Sequence, residues 1–565
     1  MSIGKGFFRN TAIMFVSMLI VKFLGAVFKI PLGNILGGEG MGYFTTSFSI
    51  YTPVLAFTCS GVPAIITQVI AQKLSKGELD DIIHYRRSAL FLGAVSGITG
   101  TAVIYIAAVP FTDFLAGSPE SLMSVMIIAP SVLFCSIAAV YRGYYEGISD
   151  MLPTAISQII EAVTKSAVGL VLSHIVYVFY VHKFGNEEQA LPYAAAAAVL
   201  GVTAGELFGL IYIFFRSRKK DFSYNRNALS SRKGDIIRTA GEIFMQSLPV
   251  AIGAVISNLI SFTDLVTISN CLNLSFHYFP NQLVGGAVSL SQLNEISDVG
   301  NFLYGSYSGM VISVYMLTAT LPVLIARCSF SRLVCTIELN KNDNTAAIKK
   351  DISVILKGTM LISAPISLFM AVFAEPVLNI LFPVREIEAA VGVIPLQVLS
   401  IGGIFSSFGS ALLIVFQAYG DFKTPVKATL FGGFFKFLLN ILLLMIPGIN
   451  ITGAAAATAI SNGITVLFIL KRIRKQYSIK LFVPGIAFPS LISASIGAIT
   501  SYYAYNSVIS EFHPLISLIL SCIIGALLYF LILFIADSRE LLEIIRSIRN
   551  KNAQKSCKFS KNVVK

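Results

Sequence analysis

Tryptophan is missing from all 565 residues, and charged side chains make up only 13% of them. The second shortage decides the solvent. Soluble domains carry about 25% charged residues, whereas here 55% of positions are hydrophobic and mean hydropathy is +0.78. A water-soluble chain of this length is excluded. The first shortage leaves any aromatic belt at the membrane–water boundary to Tyr or, more weakly, Phe. The seven cysteines form no CxxC pair and fall mostly inside apolar runs, so they read as small buried hydrophobes. GxGxxG, Walker A and HExxH patterns are also missing, and transport powered directly by ATP within this chain is unsupported. His174 and His277 have no nucleophile or metal partner near them in the sequence.

What is present is a succession of apolar runs about 20 residues long, each enough to cross about 30 Å of hydrocarbon. Barrel strands would alternate over about ten residues, and these runs are continuous. The predicted fold class is an all-α polytopic membrane protein with about 14 transmembrane spans: 8–32, 44–71, 88–110, 121–141, 154–181, 190–215, 239–263, 302–326, 352–374, 390–416, 425–446, 451–470, 482–505 and 513–536. The first run is too long for the apolar core of a removable signal peptide and is read as span 1. Lys and Arg test the division. The N-terminus, the even-numbered connections and the C-terminal tail hold 35 of them, counting Arg9 and Lys427 at the inner ends of spans 1 and 11, and the odd-numbered connections hold 2. Basic residues accumulate on the cytoplasmic side, so both termini are expected in the cytoplasm of a bacterial inner membrane. The net charge of +13 is explained by these loops, and no nucleic-acid partner is implied.

An internal repeat divides the chain into residues 1–215 (N-lobe, spans 1–6), a basic linker 216–238, residues 239–470 (C-lobe, spans 7–12), spans 13 and 14 over 471–536, and a basic tail 537–565. Span 2 carries Gly61-Val62-Pro63 before a basic loop, and span 8 carries Thr320-Leu321-Pro322 before another. Tyr145-Glu146-Gly147-Ile148-Ser149-Asp150 between spans 4 and 5 echoes Phe416-Gln417-Ala418-Tyr419-Gly420-Asp421 between spans 10 and 11. Both units start on one side of the membrane, and paired lobes of this kind usually hold substrate at their interface near the midplane. The external connection 264–301 has no basic residue and is read as a cap or an interfacial segment. The tail, with Leu541, Ile544 and Ile545 on one face, reads as a helix on the anionic inner leaflet.

Ionisable groups deep in a bilayer are costly and face a partner or a wet cavity. At 1.5 Å per residue, Lys165 lies about 18 Å into span 5, Lys436 about 16 Å into span 11 and Lys22 about 20 Å into span 1. Spans 5 and 11 are equivalent in the repeat, which predicts that Lys165 and Lys436 face each other at one level. Lys29 follows Lys22 by seven residues, nearly two turns, so both share a face. The ammonium is a compact charge with three donors, suited to phosphate, and Lys22, Lys29, Lys165 and Lys436 are predicted to form a pyrophosphate-binding cavity. Structural alternatives stand beside this. Lys29 could snorkel to the outer interface, and Lys165 could pair with Glu161 at i−4. Glu161 and Glu206 are candidate coupling or ion-pair acids. Asn258, Asp264, Asn440 and Asn462 offer hard oxygens for a cation site, although helix–helix hydrogen bonding explains the asparagines equally well.

Lys22-Phe23-Leu24-Gly25, Gly37-Gly38-Glu39-Gly40, Gly61-Val62-Pro63 and Arg142-Gly143-Tyr144-Tyr145-Glu146-Gly147 through Pro153-Thr154-Ala155-Ile156-Ser157-Gln158 resemble the polysaccharide-transporter branch of the multidrug/oligosaccharidyl-lipid/polysaccharide (MOP) exporter superfamily. The likeness is to the groups typified by stage V sporulation protein B and the MurJ-type lipid II flippases, and it covers nearly the whole chain. The resemblance implies a V-shaped, MATE-like fold of two six-helix lobes plus two C-terminal helices, working by alternating access. It implies a non-enzymatic flippase that carries an undecaprenyl-pyrophosphate-linked saccharide or peptidoglycan precursor from inner to outer leaflet, with a role in spore cortex peptidoglycan. The family's helix 1 basic residue falls on Lys22. One departure is Leu55-Ala56 ahead of Ser60-Gly61, where MurJ-type flippases carry a basic pair. The alternative is a MATE-type drug or cation antiporter, for which acids would outnumber bases in the cavity. No cofactor is implied, and Na+, H+ or the membrane potential would supply the drive. The partners are the lipid-linked substrate and membrane lipids, and the sequence does not specify an oligomeric state.

Overall fold

The computed structural model describes residues 3–76, 79–221, 233–279, 283–284, 288–289, 296, 298–339, 345–421, 423–477, 479, 481–507 and 513–549. Its helices are α1 (Ile3–Cys59), α2 (Val62–Lys76), α3 (Leu79–Pro110), α4 (Leu122–Gly147), α5 (Met151–Phe184), α6 (Glu187–Asp221), α7 (Lys233–Tyr278), α8 (Val299–Tyr304), α9 (Ile312–Thr320), α10 (Val323–Leu339), α11 (Thr345–Val372), α12 (Ala374–Leu381), α13 (Glu386–Ala418), α14 (Lys423–Leu444), α15 (Asn450–Tyr477), α16 (Val483–Ser507) and α17 (Pro514–Arg549). Beyond short π and 3-10 turns, the only described strands are the antiparallel pair Leu283–Val284 and Val288–Ser289. Twelve helical stretches are long and apolar enough to cross a membrane. The first of them, Val16–Leu74, covers spans 1 and 2 together, and span 8 is the interrupted run α8–α10. Each of the fourteen predicted spans therefore coincides with helix. The chain is an all-helical, multi-pass membrane protein.

The interruptions have local causes. Inside α1, Gly37 sits at φ 62°, ψ −171°, a backbone state open essentially to glycine alone. Spans 1 and 2 meet at this kink. Gly38 and Gly42 then lie against Phe302, Ser306 and Asn301, where any Cβ would collide. The α1–α2 break falls at Ser60–Gly61 and the α9–α10 break at Leu321–Pro322, so the repeat read from Pro63 and Pro322 is structural. The other echo holds atom by atom. Ser149 N–H donates to Glu146 O and Asp150 N–H to Tyr145 O, while Gly420 N–H donates to Gln417 O and Asp421 N–H to Phe416 O. These are two Schellman closures with positive φ at Ser149 and Gly420.

Packing groups residues 1–273 and 291–310 into one compact unit, and 274–290 and 311–565 into a second. The predicted line at 216–238 places α7 in the C-lobe, whereas its contacts tie it to the first unit. His84 Nε2 and Thr239 Oγ1 are 3.1 Å apart, Phe57 and Phe244 meet edge-on, and Ile243 joins the core of Val62, Ile66, Ile70, Ile82, Ala89 and Val140. The repeat boundary and the packing boundary are different lines. The second unit has its own core, from Leu333 and Leu356 to Phe416 and Ile473. The connection predicted as loop 264–301 is helical as far as Tyr278. Thr267 Oγ1 donates to Thr263 O within the helix, and Asn270 Nδ2 donates to Val266 O within it and to Leu115 O outside it. Residues 222–232 of the linker lie outside the described residues, as do much of 280–297, the residues after 549 and the tail side chains Leu541, Ile544 and Ile545.

Candidate functional site

The site in the first unit is built on glycine. Gly201, Gly205 and Gly209 recur every four residues on one face of α6, the small-residue spacing that lets membrane helices approach closely. A Cβ on Gly201 would collide with the backbone of Gly169 on α5. One on Gly205 would stand 2.7 Å from Glu161 O and 3.2 Å from Lys165 Cβ, and one on Gly209 3.4 Å from Glu161 Cβ and 3.5 Å from an Arg142 nitrogen. The α5 face bearing Glu161 and Lys165 is thereby pressed onto α6, which carries Glu206 beside its middle glycine. Ser157 Oγ donates to Gly209 O at 3.1 Å, fixing the register.

Arg142 closes this group. Hydropathy places it among the loop charges, but it lies inside α4, and its Nη2 is 2.8 Å from Glu161 Oε2 and 3.0 Å from Ser157 Oγ. The partner of Glu161 is Arg142, not Lys165 one turn along. Lys165 extends toward α1, with Nζ 5.2 Å from the Phe28 ring centroid and 5.4 Å from that of Phe48. Both lie within cation–π range. Glu161 and Glu206 contribute to its electrostatic environment. Lys29 is half-buried and lies in the fields of Lys165 and Lys22. Lys22 itself is exposed. Three of the four predicted lysines are thus electrostatic neighbours in one unit.

Lys436 belongs to the second unit. Thr424, Ala428, Gly432, Lys436, Asn440 and Leu444 form the buried face of α14, which packs on α15. Asn462 lies on α15. Asn258 and Asp264 lie on α7 in the first unit, and Asn258 Nδ2 donates to Ala254 O at 2.9 Å within its own helix. The four predicted cation ligands are therefore divided two and two. Among the described residues, no group of three or more His, Cys, Asp or Glu is close enough to hold a metal ion.

Sequence reasoning missed Arg142 and the α6 glycines. The spacing Gly201-x-x-x-Gly205-x-x-x-Gly209 was the available signal for the second. It fixes which face of α6 meets α5 and hence where Glu206 lies.

The helix order, the paired repeats and a buried charged group inside a helical unit define the class, a polytopic helical transporter fold. Solved structures carry the same architecture. The lipid II flippase MurJ in an inward closed conformation superposes with a TM-score of 0.65 at 15% identity, covering 95% of this chain and 100% of that one. An inward-facing MATE-family multidrug transporter of the MOP superfamily gives 0.62 at 14%, covering 83% and 98%. Sequence supplies the family. Residues 7–325 match the family described as "Polysaccharide biosynthesis protein", and the chain belongs to that family, within the polysaccharide-transporter branch of the MOP superfamily. Similar proteins of Bacillus subtilis include an uncharacterized membrane protein, YabM (28% identity, 88% of this chain and 86% of that one). They also include stage V sporulation protein B (22%, 88% and 89%) and the lipid II flippase MurJ (21%, 86% and 87%).

Proposed function

We propose that this protein is a flippase that moves an undecaprenyl-pyrophosphate-linked saccharide or peptidoglycan precursor from the inner to the outer leaflet of a bacterial cytoplasmic membrane. The observation that carries the reading is the grouping of Lys22, Lys29 and Lys165 in the first unit. Clustered cations at this depth are costly, and an anion that visits them lowers the cost. A pyrophosphate bridging the lipid and the sugar is such an anion, and ammonium groups bind it as point charges. Lys436, equivalent to Lys165 by the repeat, is the fourth candidate ligand. Alternating access, a drive from Na+, H+ or the membrane potential, cytoplasmic termini and a role in spore peptidoglycan belong to the same proposal. Kinship with stage V sporulation protein B and MurJ supports the chemical class of cargo.

The acids support a second reading, MATE-type antiport of drugs or cations. Glu206 is buried with only 7% of its surface exposed, and such a carboxyl is what a cation exchanger would use. Complementation separates the two. Ala in place of Lys22, Lys165 or Lys436 abolishes rescue of a flippase-depleted strain while the protein still inserts. Full rescue by all three variants overturns the lysine cavity. The precursor that accumulates in the cytoplasmic leaflet on depletion identifies the cargo.

A further inference from the structure

The turn of the α5–α6 hairpin carries a group of rings that the lysine cavity does not use. Tyr180 on α5 and Tyr193 on α6 lie parallel, with centroids 4.3 Å apart and 2° between their planes. Phe184 stacks on Tyr180 at 5.3 Å, and Phe179 meets Tyr180 edge-on at 5.3 Å. Lys183 Nζ stands 5.3 Å from the Tyr180 centroid and 5.4 Å from that of Phe184, within cation–π range. The turn that holds them is short and closed. Gly185, at φ 69°, donates its N–H to Val181 O at 2.8 Å as α5 ends. Asn186 Oδ1 accepts from Glu188 N–H at 3.0 Å as α6 begins. Yet Phe179 leaves 60% of its surface exposed and Phe184 37%.

Depth and charge narrow what these rings could take. Arg216 is the first basic residue after the apolar run of α6 and marks its inner boundary. Tyr193 lies 23 residues from it, about 35 Å at 1.5 Å per residue, past about 30 Å of hydrocarbon. The rings thus stand at the level of the far head groups, which is the outer face in the orientation proposed above. Lys183 is one of just two basic residues in the odd-numbered connections, so it lies outside the charge pattern that orients the chain. A phosphate is disfavoured here, because Glu187 and Glu188 outnumber Lys183 in this turn and like charges repel. A sugar fits. The C–H face of a pyranose packs on aromatic faces, and its hydroxyls take hydrogen bonds from ammonium and amide groups and give them to carboxylates. Lys183, Asn186 and Glu187 supply those groups, all exposed. We propose that this hairpin end is a saccharide-binding platform, which holds the sugar of the lipid-linked cargo on the outer face. The proposal rests on the function stated above, and it adds affinity for the glycan-bearing lipid while adding none for the bare one.

The chain has no tryptophan, so Phe179→Trp gives the full-length protein a single reporter on the platform. Its emission is read in lipid nanodiscs that hold either an undecaprenyl-pyrophosphate-linked disaccharide or undecaprenyl pyrophosphate without sugar. The disaccharide lipid is expected to change the emission saturably, and the bare lipid to leave it unchanged. Phe114→Trp, a position 83% exposed beyond the end of α3, is expected to respond to neither. Tyr193→Ala in the reporter background should raise the half-saturating disaccharide lipid about 10-fold, and Tyr193→Phe, which keeps the ring, should restore most of the affinity. Should Tyr193→Ala fail to fold, Phe184→Ala at the exposed turn carries the same test. Equal responses to the two lipids would mean an aromatic anchor at the membrane surface and overturn the platform. So would an absent response to the disaccharide lipid in a protein that still translocates it. A saccharide-specific response in a protein that translocates nothing supports the platform and overturns the flippase reading instead.

Discussion

Arg142 Nη2 and Glu161 Oε2 stand 2.8 Å apart between α4 and α5, the arginine side chain 13% exposed and the glutamate 27%. Breaking such a pair from one side strands a charge, at a cost of about 3–5 kcal/mol for fully buried pairs. The residual exposure of Glu161 puts this one near the lower end. Arg142→Ala is therefore expected to lower the thermal midpoint of the detergent-solubilised protein sharply. Replacing both residues, Arg142→Met with Glu161→Leu, recovers most of the loss. A double variant as unstable as the single one would mean that the pair is not the cause.

Gly201 provides a steric prediction. A Cβ there meets the backbone of Gly169, which cannot rotate away. Gly201→Ala should cost about 1–3 kcal/mol through overpacking. At Gly463, in α15, an added Cβ would meet nothing within 4 Å. Gly463→Ala is neutral or stabilises by up to about 1 kcal/mol, since alanine is the better helix former. Thermal unfolding of the two variants side by side reads the contrast.

Asp421 caps α14. It accepts from Lys423 N–H and Thr424 N–H, both at 3.0 Å, from Thr424 Oγ1 at 2.6 Å and from Gln476 Nε2 at 3.1 Å. Partial burial on its own would raise the carboxyl's pKa, but the hydrogen bonds from Thr424, Gln476 and Lys423 outweigh it and hold it below the usual aspartate value. A depressed folded-state pKa means that the stabilisation is present above the unfolded value, about 3.9, and fades as pH falls through the folded one. Asp421→Ala should cost about 1 kcal/mol at neutral pH, as cap removal does. The gap between variant and wild type stays constant down to about pH 5 and closes in stronger acid. A gap unchanged in strong acid would assign the effect to something other than the ionised cap.

Lys165 has two aromatic neighbours and a predicted anion. A charge-assisted hydrogen bond contributes about 1.5–3 kcal/mol, so Lys165→Ala should weaken pyrophosphate binding by about 10-fold or more. Lys357→Ala, outside the lysine group, should leave it unchanged. Equilibrium binding of radiolabelled pyrophosphate to purified protein makes the comparison.

Much of the fold was legible because a membrane writes itself into sequence as length and charge. The apolar runs gave the spans, and Gly61–Pro63 with Thr320–Pro322 gave the repeat. The far end of α7 was not legible. Asp264, Thr267, Asn270 and Ser275 look like loop to hydropathy, and the helix there depends on neighbours such as the Leu115 carbonyl. For the candidate site, depth arithmetic singled out Lys165 and both acids, which the helices α5 and α6 carry. Arg142 escaped because a charge five residues from a helix end reads as cytoplasmic unless its side-chain partner is known. The i, i+4 rule paired Glu161 with Lys165, whereas the close α5–α6 contact and the arginine on α4 decided otherwise.

The most direct measurement is translocation of a fluorescent undecaprenyl-pyrophosphate-linked saccharide in proteoliposomes that hold the purified protein. Wild type is expected to move the lipid between leaflets well above protein-free vesicles. Lys165→Ala is expected to lose that activity and Lys357→Ala to keep it. Absence of lipid movement by the wild type, together with proton-driven exchange of a cationic drug in the same vesicles, would contradict the account.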